Sequence, residues 1–469
     1  MVIPEYIASG EVARLIPVAA DSNKEARAAS ILMATLSSVP AFRTVLLDSL
    51  GQRAGTRANL DCFTEIVFKN DQNALKSRPD GLIILDSGRG RSWSCLVEAK
   101  IGNANLEHEQ VERYLSLAKS NNINAVLTIS NQFVALPTHY PIKILKSFLK
   151  GVELYHWSWM YTLTQALLIL NEDKFENYEQ KYILEEMTRY FNHPSIGVSS
   201  FDRMNPEWKE LVNKIQSGVN FSKSDGLVEN TIAAWHQEVR DLCLLMTRIL
   251  NRPVRIKLTK VHTDDPLRRM KDDSDNLANN HKMECLLEIP DAAAPLVVIA
   301  DLLRRSLCVS MTLSAPRDKQ KSSSRINWIL KQLSKSNTDN IHVRAFWPGR
   351  TPETQAQLVS LRDNPALLEC DNKALTPTSF EVMLVRDLAG KFGGAKTFIE
   401  QLEEVAPLFY EQVGQHVRAY VVPPPRIKQK EESESIEDVV KSDVVTSSES
   451  IGEINGQSTD FLSENSGSK

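Results

Sequence analysis

Two apolar runs joined by a short turn, within residues 78–100, constrain the fold more than any other stretch of the sequence. This stretch reads RPDGLIILDSGRGRSWSCLVEAK. The segments DGLIILD and SCLVEAKI have the length and the β-branched, apolar composition of buried strands. The SGRGRS segment between them is typical of a turn. The pattern therefore predicts an antiparallel hairpin.

Each run carries charge where a buried strand normally excludes it: Asp80 in the first, Glu98 and Lys100 in the second. Side chains alternate along a strand, so Glu98 and Lys100 share a face, and a hairpin would bring Asp80 close to them. Two crowded carboxylates repel each other unless a cation lies between them. Mg²⁺, or Mn²⁺ in its place, suits one or two carboxylates, and the lysine would help to hold a water for attack on phosphorus. The sequence therefore predicts a phosphodiester hydrolase site.

The surrounding pattern places this hairpin in an α/β fold. Residues 23–51 have helical periodicity broken near Pro40, residues 106–120 are helical, and residues 60–69 and 124–130 are strand-like. The predicted order is α-β-β-β-α-β, in which helices pack against a sheet.

Pro79-Asp80 followed by Glu98-Ala99-Lys100 resembles the signature of the PD-(D/E)XK nuclease superfamily, which has the restriction-endonuclease-like fold. Gln110 and Tyr114 also resemble the Q-x-x-x-Y motif of the branch that includes the RecB-type nucleases. Their spacing places both side chains on one helix face.

This resemblance implies roles for the residues that match. Asp80 and Glu98 would ligate the metal, the Ala99 carbonyl would complete the site, and Lys100 would orient the water. Many members of the superfamily also use a glutamate from the first helix, for which Glu25 is the candidate by position. Gln110 and Tyr114 would reach the site or a nucleic-acid backbone.

Other candidate residues have a functional and a structural interpretation. Glu65 lies either in the same cleft or on an exposed strand edge. His108 and His156 would donate to phosphate, but a lone histidine is more often structural. Aromatic residues cluster between Tyr155 and Tyr161. They would stack bases or, as we expect, pack beneath the sheet.

Composition changes divide the chain into four segments. We expect a nuclease-like domain over 1–200, a linker over 201–225, a second α/β or α+β domain over 226–420, and a disordered acidic tail over 421–469. The tail is rich in serine and glutamate, and from Glu431 onward ten acidic and two lysine residues give a net charge of -8. The whole chain has a net charge of -4, so the remainder has +4. A mildly basic body fits a nucleic-acid partner but equally fits ordinary surface charge.

The second domain contains a basic run whose ten members fit phosphate contact or a solvated face. These are Arg304, Arg305, Arg317, Lys319, Lys321, Arg325, Lys331, Lys335, Arg344 and Arg350, against Asp318 and Asp339. We expect this domain to recognise the substrate, with DNA favoured over RNA, or a protein partner. The alternative to an enzyme is a catalytically inactive nuclease-fold module that binds nucleic acid or acts as a sensor or protein-interaction module.

The sequence has no apolar run long enough to cross a membrane, and its start does not resemble a secretory signal, so we expect a cytoplasmic protein. Six widely spaced cysteines favour reduced thiols over a disulfide framework.

Overall fold

The computed structural model describes residues 5–16, 23–55, 58–69, 78–88, 92–173, 175, 177–218, 226–336 and 340–422. These ranges contain twelve α-helices and thirteen strands in two sheets, so the fold is mixed α and β. Residues up to Val422 form one compact unit. The acidic tail predicted for 421–469 lies, except for its first two residues, outside the described residues.

The first sheet has six strands in chain order. They are β1 (Ile7–Val12), β2 (Asn59–Phe68), β3 (Gly81–Asp86), β4 (Ser92–Ala99), β5 (Ala125–Ser130) and β6 (Glu153–Ser158). Five helices accompany them: α1 (Lys24–Ser38), α2 (Pro40–Asp48), α3 (His108–Ser120), α4 (Trp159–Glu172) and α5 (Tyr178–Asn192). From α1 to β5 the chain thus follows the predicted α-β-β-β-α-β order, with the first helix divided before Pro40.

Strand direction changes in the middle of this sheet. β1 to β4 pair antiparallel, whereas β5 is parallel to β4 and β6 is parallel to β5. α3 makes the crossover that two adjacent parallel strands require. One apolar cluster packs α1, α2, α4 and α5 against one face, and another packs α3 against the opposite face. This explains why β5 is buried along its whole length.

The second sheet has seven strands that all pair antiparallel, in the order β12-β11-β13-β10-β9-β8-β7. Its strands are β7 (Arg255–Ile256), β8 (Lys282–Glu288), β9 (Leu296–Asp301), β10 (Ser306–Ser314), β11 (Ile341–Phe346), β12 (Thr354–Gln357) and β13 (Ser379–Asp387). The accompanying helices are α6 (Trp208–Gln216), α7 (Gly226–Leu250), α8 (Lys260–Asp264), α9 (Pro266–Asn280), α10 (Ser322–Gln332), α11 (Leu358–Asp363) and α12 (Ala395–Phe409). These elements share one large apolar core, which is an α+β arrangement.

The predicted linker at 201–225 differs from the structure, because α6 lies inside it. Trp208, Leu211 and Ile215 on this helix are buried in the core of the second sheet. Their helical spacing is the signal that the polar flanking segments obscured. The contacts also do not separate 1–200 from 226–420, since both belong to one compact unit.

Within the described ranges, no single helix is long and apolar enough to cross a membrane. α1 and α2 reach the required length and composition only as a pair bent by 108°.

Candidate active site

The β3–β4 hairpin brings the two predicted carboxylates to the same edge of the first sheet. Gly81 at the start of β3 pairs with Val97 near the end of β4. Asp80 precedes Gly81 and Glu98 follows Val97, so both residues lie at the end of the hairpin opposite its turn. A Cβ at Gly81 would lie 2.4 Å from the Met33 side chain, so the absence of a side chain there lets α1 pack closely beside this edge.

Asp80 is fixed by the backbone of the neighbouring strand, because its Oδ2 accepts a hydrogen bond of 2.8 Å from the Ala99 amide. Burial and the nearby charge of Glu98 raise the pKa of Asp80 to about 8, although the Ala99 amide and Lys100 oppose this rise. Burial also raises the pKa of Glu98, which is 2% exposed. The two carboxylates are therefore crowded in a site that disfavours two negative charges.

Lys100 forms the cationic part of the site. Its Nζ donates to Glu98 Oε1 at 2.7 Å and lies 3.8 Å from Glu25 Oε2. Burial alone would lower the pKa of Lys100, but the Glu98 hydrogen bond and the surrounding carboxylates give a net rise. The main chain is held as well, because the Lys100 amide donates to Ile129 O and its carbonyl accepts from Trp159 Nε1, both at 2.8 Å. Lys100 is thus a charged and well-positioned ammonium.

Glu25, at the start of α1, contacts both the backbone that follows β4 and the Lys100 ammonium. Its Oε1 accepts from the Ile101 amide at 3.4 Å, and its Oε2 faces the Lys100 ammonium. The structure therefore places Glu25 beside Lys100, where it contributes negative charge and orients the backbone that follows β4.

Gln110 and Tyr114 lie on one face of α3, as their spacing predicts. Gln110 Nε2 donates to the Tyr114 hydroxyl at 3.2 Å, and this hydroxyl donates to the Arg78 carbonyl at 3.1 Å. Burial and the charge of Glu98 raise the pKa of Tyr114, so its hydroxyl stays neutral. The pair connects α3 to the segment that carries Asp80.

Arg78, which the sequence did not single out, stands two residues before Asp80, and its carbonyl accepts the hydrogen bond of Tyr114. Its guanidinium forms an ion pair with Glu65, and the two side chains are 49% and 40% exposed. Glu65 was predicted either in the cleft or on an exposed edge, and the structure places its carboxylate on Arg78. Their sequence separation and the irregular backbone at Glu65 explain why no local pattern indicated the pair.

The donor set at this edge suits a hard divalent cation. In the described part of the chain, no cluster of three or more His, Cys, Asp or Glu side chains could by itself hold a metal ion. Mg²⁺ needs only one or two carboxylates, with water and substrate oxygens completing its octahedron. Asp80 and Glu98, with the Ala99 carbonyl that the resemblance adds, meet this requirement.

The remaining candidates have structural surroundings. His156 is buried, with Nδ1 2.9 Å from Thr128 Oγ1 and Nε2 2.9 Å from the Gln132 carbonyl, and burial lowers its pKa to about 4. His108 is half exposed, 3.5 Å from Glu112. The aromatic residues Tyr155, Trp157 and Trp159 belong to the apolar core, as we expected.

Some side chains of the basic run between Arg304 and Arg350 form hydrogen bonds or ion pairs within the protein, and others form no ion pair with any residue that the structure describes. Arg325 donates to the Lys319 and Pro377 carbonyls, and Arg344 contacts Gln355 and Glu381. Three other members of the basic run lie on the loop that connects β10 to α10. These are Arg317, Lys319 and Lys321, none of which forms an ion pair among the described residues. This loop is the part of the run best suited to phosphate.

Comparison of the chain with protein-family models, with curated proteins and with solved structures gives no significant match.

Proposed function

We propose that this chain is a metal-dependent nuclease of the PD-(D/E)XK type that hydrolyses phosphodiester bonds, with DNA preferred to RNA. The observation that carries the proposal is the convergence of Asp80, Glu98 and Lys100 at one sheet edge. Burial and Glu98 raise the pKa of Asp80 to about 8, so this carboxyl has a proton to lose when a cation binds. Crowded acids beside an ammonium suit a site that binds a divalent cation.

The fold supports the same proposal. The order α1, β2, β3, β4, α3 and β5 is the order expected of a restriction-endonuclease-like core. Pro79-Asp80 stands immediately before the second of the three antiparallel strands, and Glu98-Ala99-Lys100 stands at the end of the third. These positions of the motif residues support the proposal.

In this proposal Asp80 and Glu98 hold Mg²⁺, together with the Ala99 carbonyl. The cation supplies Lewis acidity toward a phosphate oxygen and lowers the pKa of water. Lys100 orients the attacking water with its Nζ, and Glu25 stabilises the ammonium from the other side. Gln110 and Tyr114 hold the backbone at Arg78, which keeps Asp80 in register with Glu98. The second sheet, through the loop before α10, contributes phosphate contacts to the substrate.

The direct test is an activity assay on the full chain. Purified protein is incubated with Mg²⁺, Mn²⁺ or EDTA and with linear duplex DNA, circular DNA, single-stranded DNA or RNA. We expect cleavage in either metal, none in EDTA, and faster cleavage of DNA than of RNA. Calorimetry should detect metal binding that Asp80→Asn and Glu98→Gln abolish, because each removes a ligating charge while keeping the side-chain shape.

Lys100→Ala separates catalysis from metal binding. Both proposed metal-ligating carboxylates remain, so metal should still bind, while cleavage should fall by about 10²-fold or more because the water loses its orienting cation. Absence of metal binding and of cleavage in the unmutated chain would favour the inactive binding module. Cleavage that survives in both Asp80→Asn and Lys100→Ala would place the activity outside this site.

A further inference from the structure

Arg78 has an anchored backbone and an accessible side chain, two residues before Asp80 in the proposed site. Its carbonyl accepts the hydrogen bond of the Tyr114 hydroxyl, which in turn accepts from Gln110. Its side chain is half exposed and stands two residues before Asp80. The backbone of Arg78 is therefore held next to the proposed site, while its guanidinium remains open to a ligand from solvent.

Its partner, Glu65, is positioned by an irregularity in β2. Between two β1–β2 pairs, Ser9 with Val67 and Glu11 with Thr64, the register shifts, so β2 has one residue more than β1. Glu65 lies in this bulge with a φ of 57°, in the left-handed region that a glutamate rarely adopts. Bulges redirect side chains, and they are common beside active sites.

The bulge places Glu65 beside the segment that leads into β3, because the preceding Thr64 pairs with Gly81. Its carboxylate consequently meets the Arg78 guanidinium rather than pairing along the strand. A purely structural ion pair between two half-exposed side chains contributes little to stability and does not account for a strained backbone. Because backbone outliers cluster at functional sites, the left-handed conformation of Glu65 beside the proposed site motivates a hypothesis of function for this pair.

We propose that Arg78 binds a phosphodiester group of the substrate next to the bond that is cut, and that Glu65 occupies the guanidinium until substrate arrives. This inference rests on the nuclease proposal. Three carboxyl groups, Asp80, Glu98 and Glu25, stand at the proposed site against one ammonium, and Lys100 is already engaged by Glu98. The planar fork of arginine binds phosphate in the same bidentate manner as carboxylate. A phosphate group of the substrate thus replaces the Glu65 carboxylate at the Arg78 guanidinium.

Two substitutions test the exchange on the full chain. Arg78→Ala should weaken DNA binding about 10-fold and reduce the slope of log affinity against log salt by about one, as the loss of one phosphate contact predicts. Glu65→Gln removes the competing charge and should strengthen binding about threefold or more at low salt. Arg78→Lys should recover part of the affinity, because it keeps the charge but lacks the fork.

Arg268 and Asp272 on α9 provide a matched control. They form an ion pair of 2.9 Å with side chains 53% and 34% exposed, close to the values for Arg78 and Glu65. Arg268→Ala and Asp272→Asn should leave DNA affinity unchanged within twofold. Fluorescence anisotropy of labelled DNA in EDTA measures binding without cleavage. Single-turnover cleavage in Mg²⁺, at increasing protein concentration, measures the half-saturating concentration separately from the maximal rate.

The outcomes distinguish the two proposals. Glu65→Gln should lower the half-saturating concentration in Mg²⁺ with little change in maximal rate. If the unmutated chain binds and cuts DNA but Arg78→Ala and Glu65→Gln behave like the α9 controls, the role of Arg78 is refuted and the nuclease proposal stands. If the unmutated chain neither binds nor cuts nucleic acid, both are refuted.

Discussion

Replacing Asp80 with asparagine, in the absence of metal, should stabilise the protein more as the pH rises. In the folded chain, burial and Glu98 raise the pKa of Asp80 from 3.8 to about 8. Between these two values the folded state keeps a proton that the unfolded state has lost. The free energy of unfolding of the unmutated protein therefore falls, by about 1.4 kcal/mol per pH unit, and levels off above the folded pKa. An asparagine at position 80 carries no such proton.

The size of the effect follows from the same interval. The difference between the unfolded and folded pKa values of Asp80 sets a ceiling of about 6 kcal/mol on the stabilisation by Asp80→Asn, which is reached at pH values above the folded pKa. Relaxation and water penetration reduce the penalty of a buried charge, so we expect a gain of about 2–4 kcal/mol at pH 8. The amide oxygen of asparagine can still accept the hydrogen bond that the Ala99 amide donates to Asp80, so this contact is not lost.

Mg²⁺ should reverse the comparison. A cation that binds only the folded state stabilises it by about 2.7 kcal/mol at a concentration one hundred times its Kd. The unmutated chain should gain this stabilisation, and Asp80→Asn should gain little, because a ligating charge is missing. The advantage of the variant in EDTA should therefore disappear or change sign in saturating Mg²⁺.

Urea denaturation at several pH values, in EDTA and in Mg²⁺, measures these free energies. Glu238→Gln is the control, because Glu238 on α7 is fully buried, both of its carboxylate oxygens are without a hydrogen-bond partner among the described residues, and burial raises its pKa. That variant should also gain stability with pH in EDTA but should respond to Mg²⁺ like the unmutated chain. A gain for Asp80→Asn that is the same at pH 5 and pH 8, or that Mg²⁺ leaves intact, would refute the reasoning.

Two further predictions concern backbone packing and the basic loop. Gly197→Ala should lower the free energy of unfolding by about 2 kcal/mol or more. The residue has a φ of +91°, and a Cβ there would lie 3.1 Å from the Gly102 backbone. Thermal denaturation should show a smaller loss for the control Gly151→Ala, because Gly151 has a φ of +81° but no neighbour within 4 Å of its Cβ position. Serine substitution of three loop residues should weaken DNA binding and its salt dependence without unfolding the chain, as filter binding at several salt concentrations would show. The residues are Arg317, Lys319 and Lys321. Arg325→Ser should instead reduce stability, because its guanidinium donates to two main-chain carbonyls.

The hairpin geometry could be predicted from sequence because it depends on short-range rules. Alternation along β4 and the turn before it suffice to place Asp80, Glu98 and Lys100 together, and the helical spacing of Gln110 and Tyr114 suffices to place both on one face of α3. Each of these relations needs only the local period and one strand pairing. The segment from α1 to β5 followed the same rules.

Other features depend on contacts between distant segments. β1 was not predicted, since its register with β2 shifts twice and only one of its six residues is buried. The Arg78–Glu65 pair needs the bulge that places Glu65 in a left-handed conformation. α6 was interpreted as linker because it is short, with four buried residues, and the segments around it break the periodicity. In each case tertiary packing decides the outcome, and single-sequence periodicity does not record it.

The connection between the two sheets runs through the backbone next to the proposed site. Asn131, just after β5, donates to the carbonyls of both Gly102 and Gly197, so the segment after α5 is fastened to the chain that follows Lys100. In the same segment, shortly after Gly197, the Phe201 amide donates a hydrogen bond of 2.6 Å to Asp241 on α7. Removal of the second sheet together with its helices, α7 included, would leave that amide without its acceptor and would release one end of the segment that packs on Gly102. Tests of Asp80, Glu98 and Lys100 therefore require both sheets.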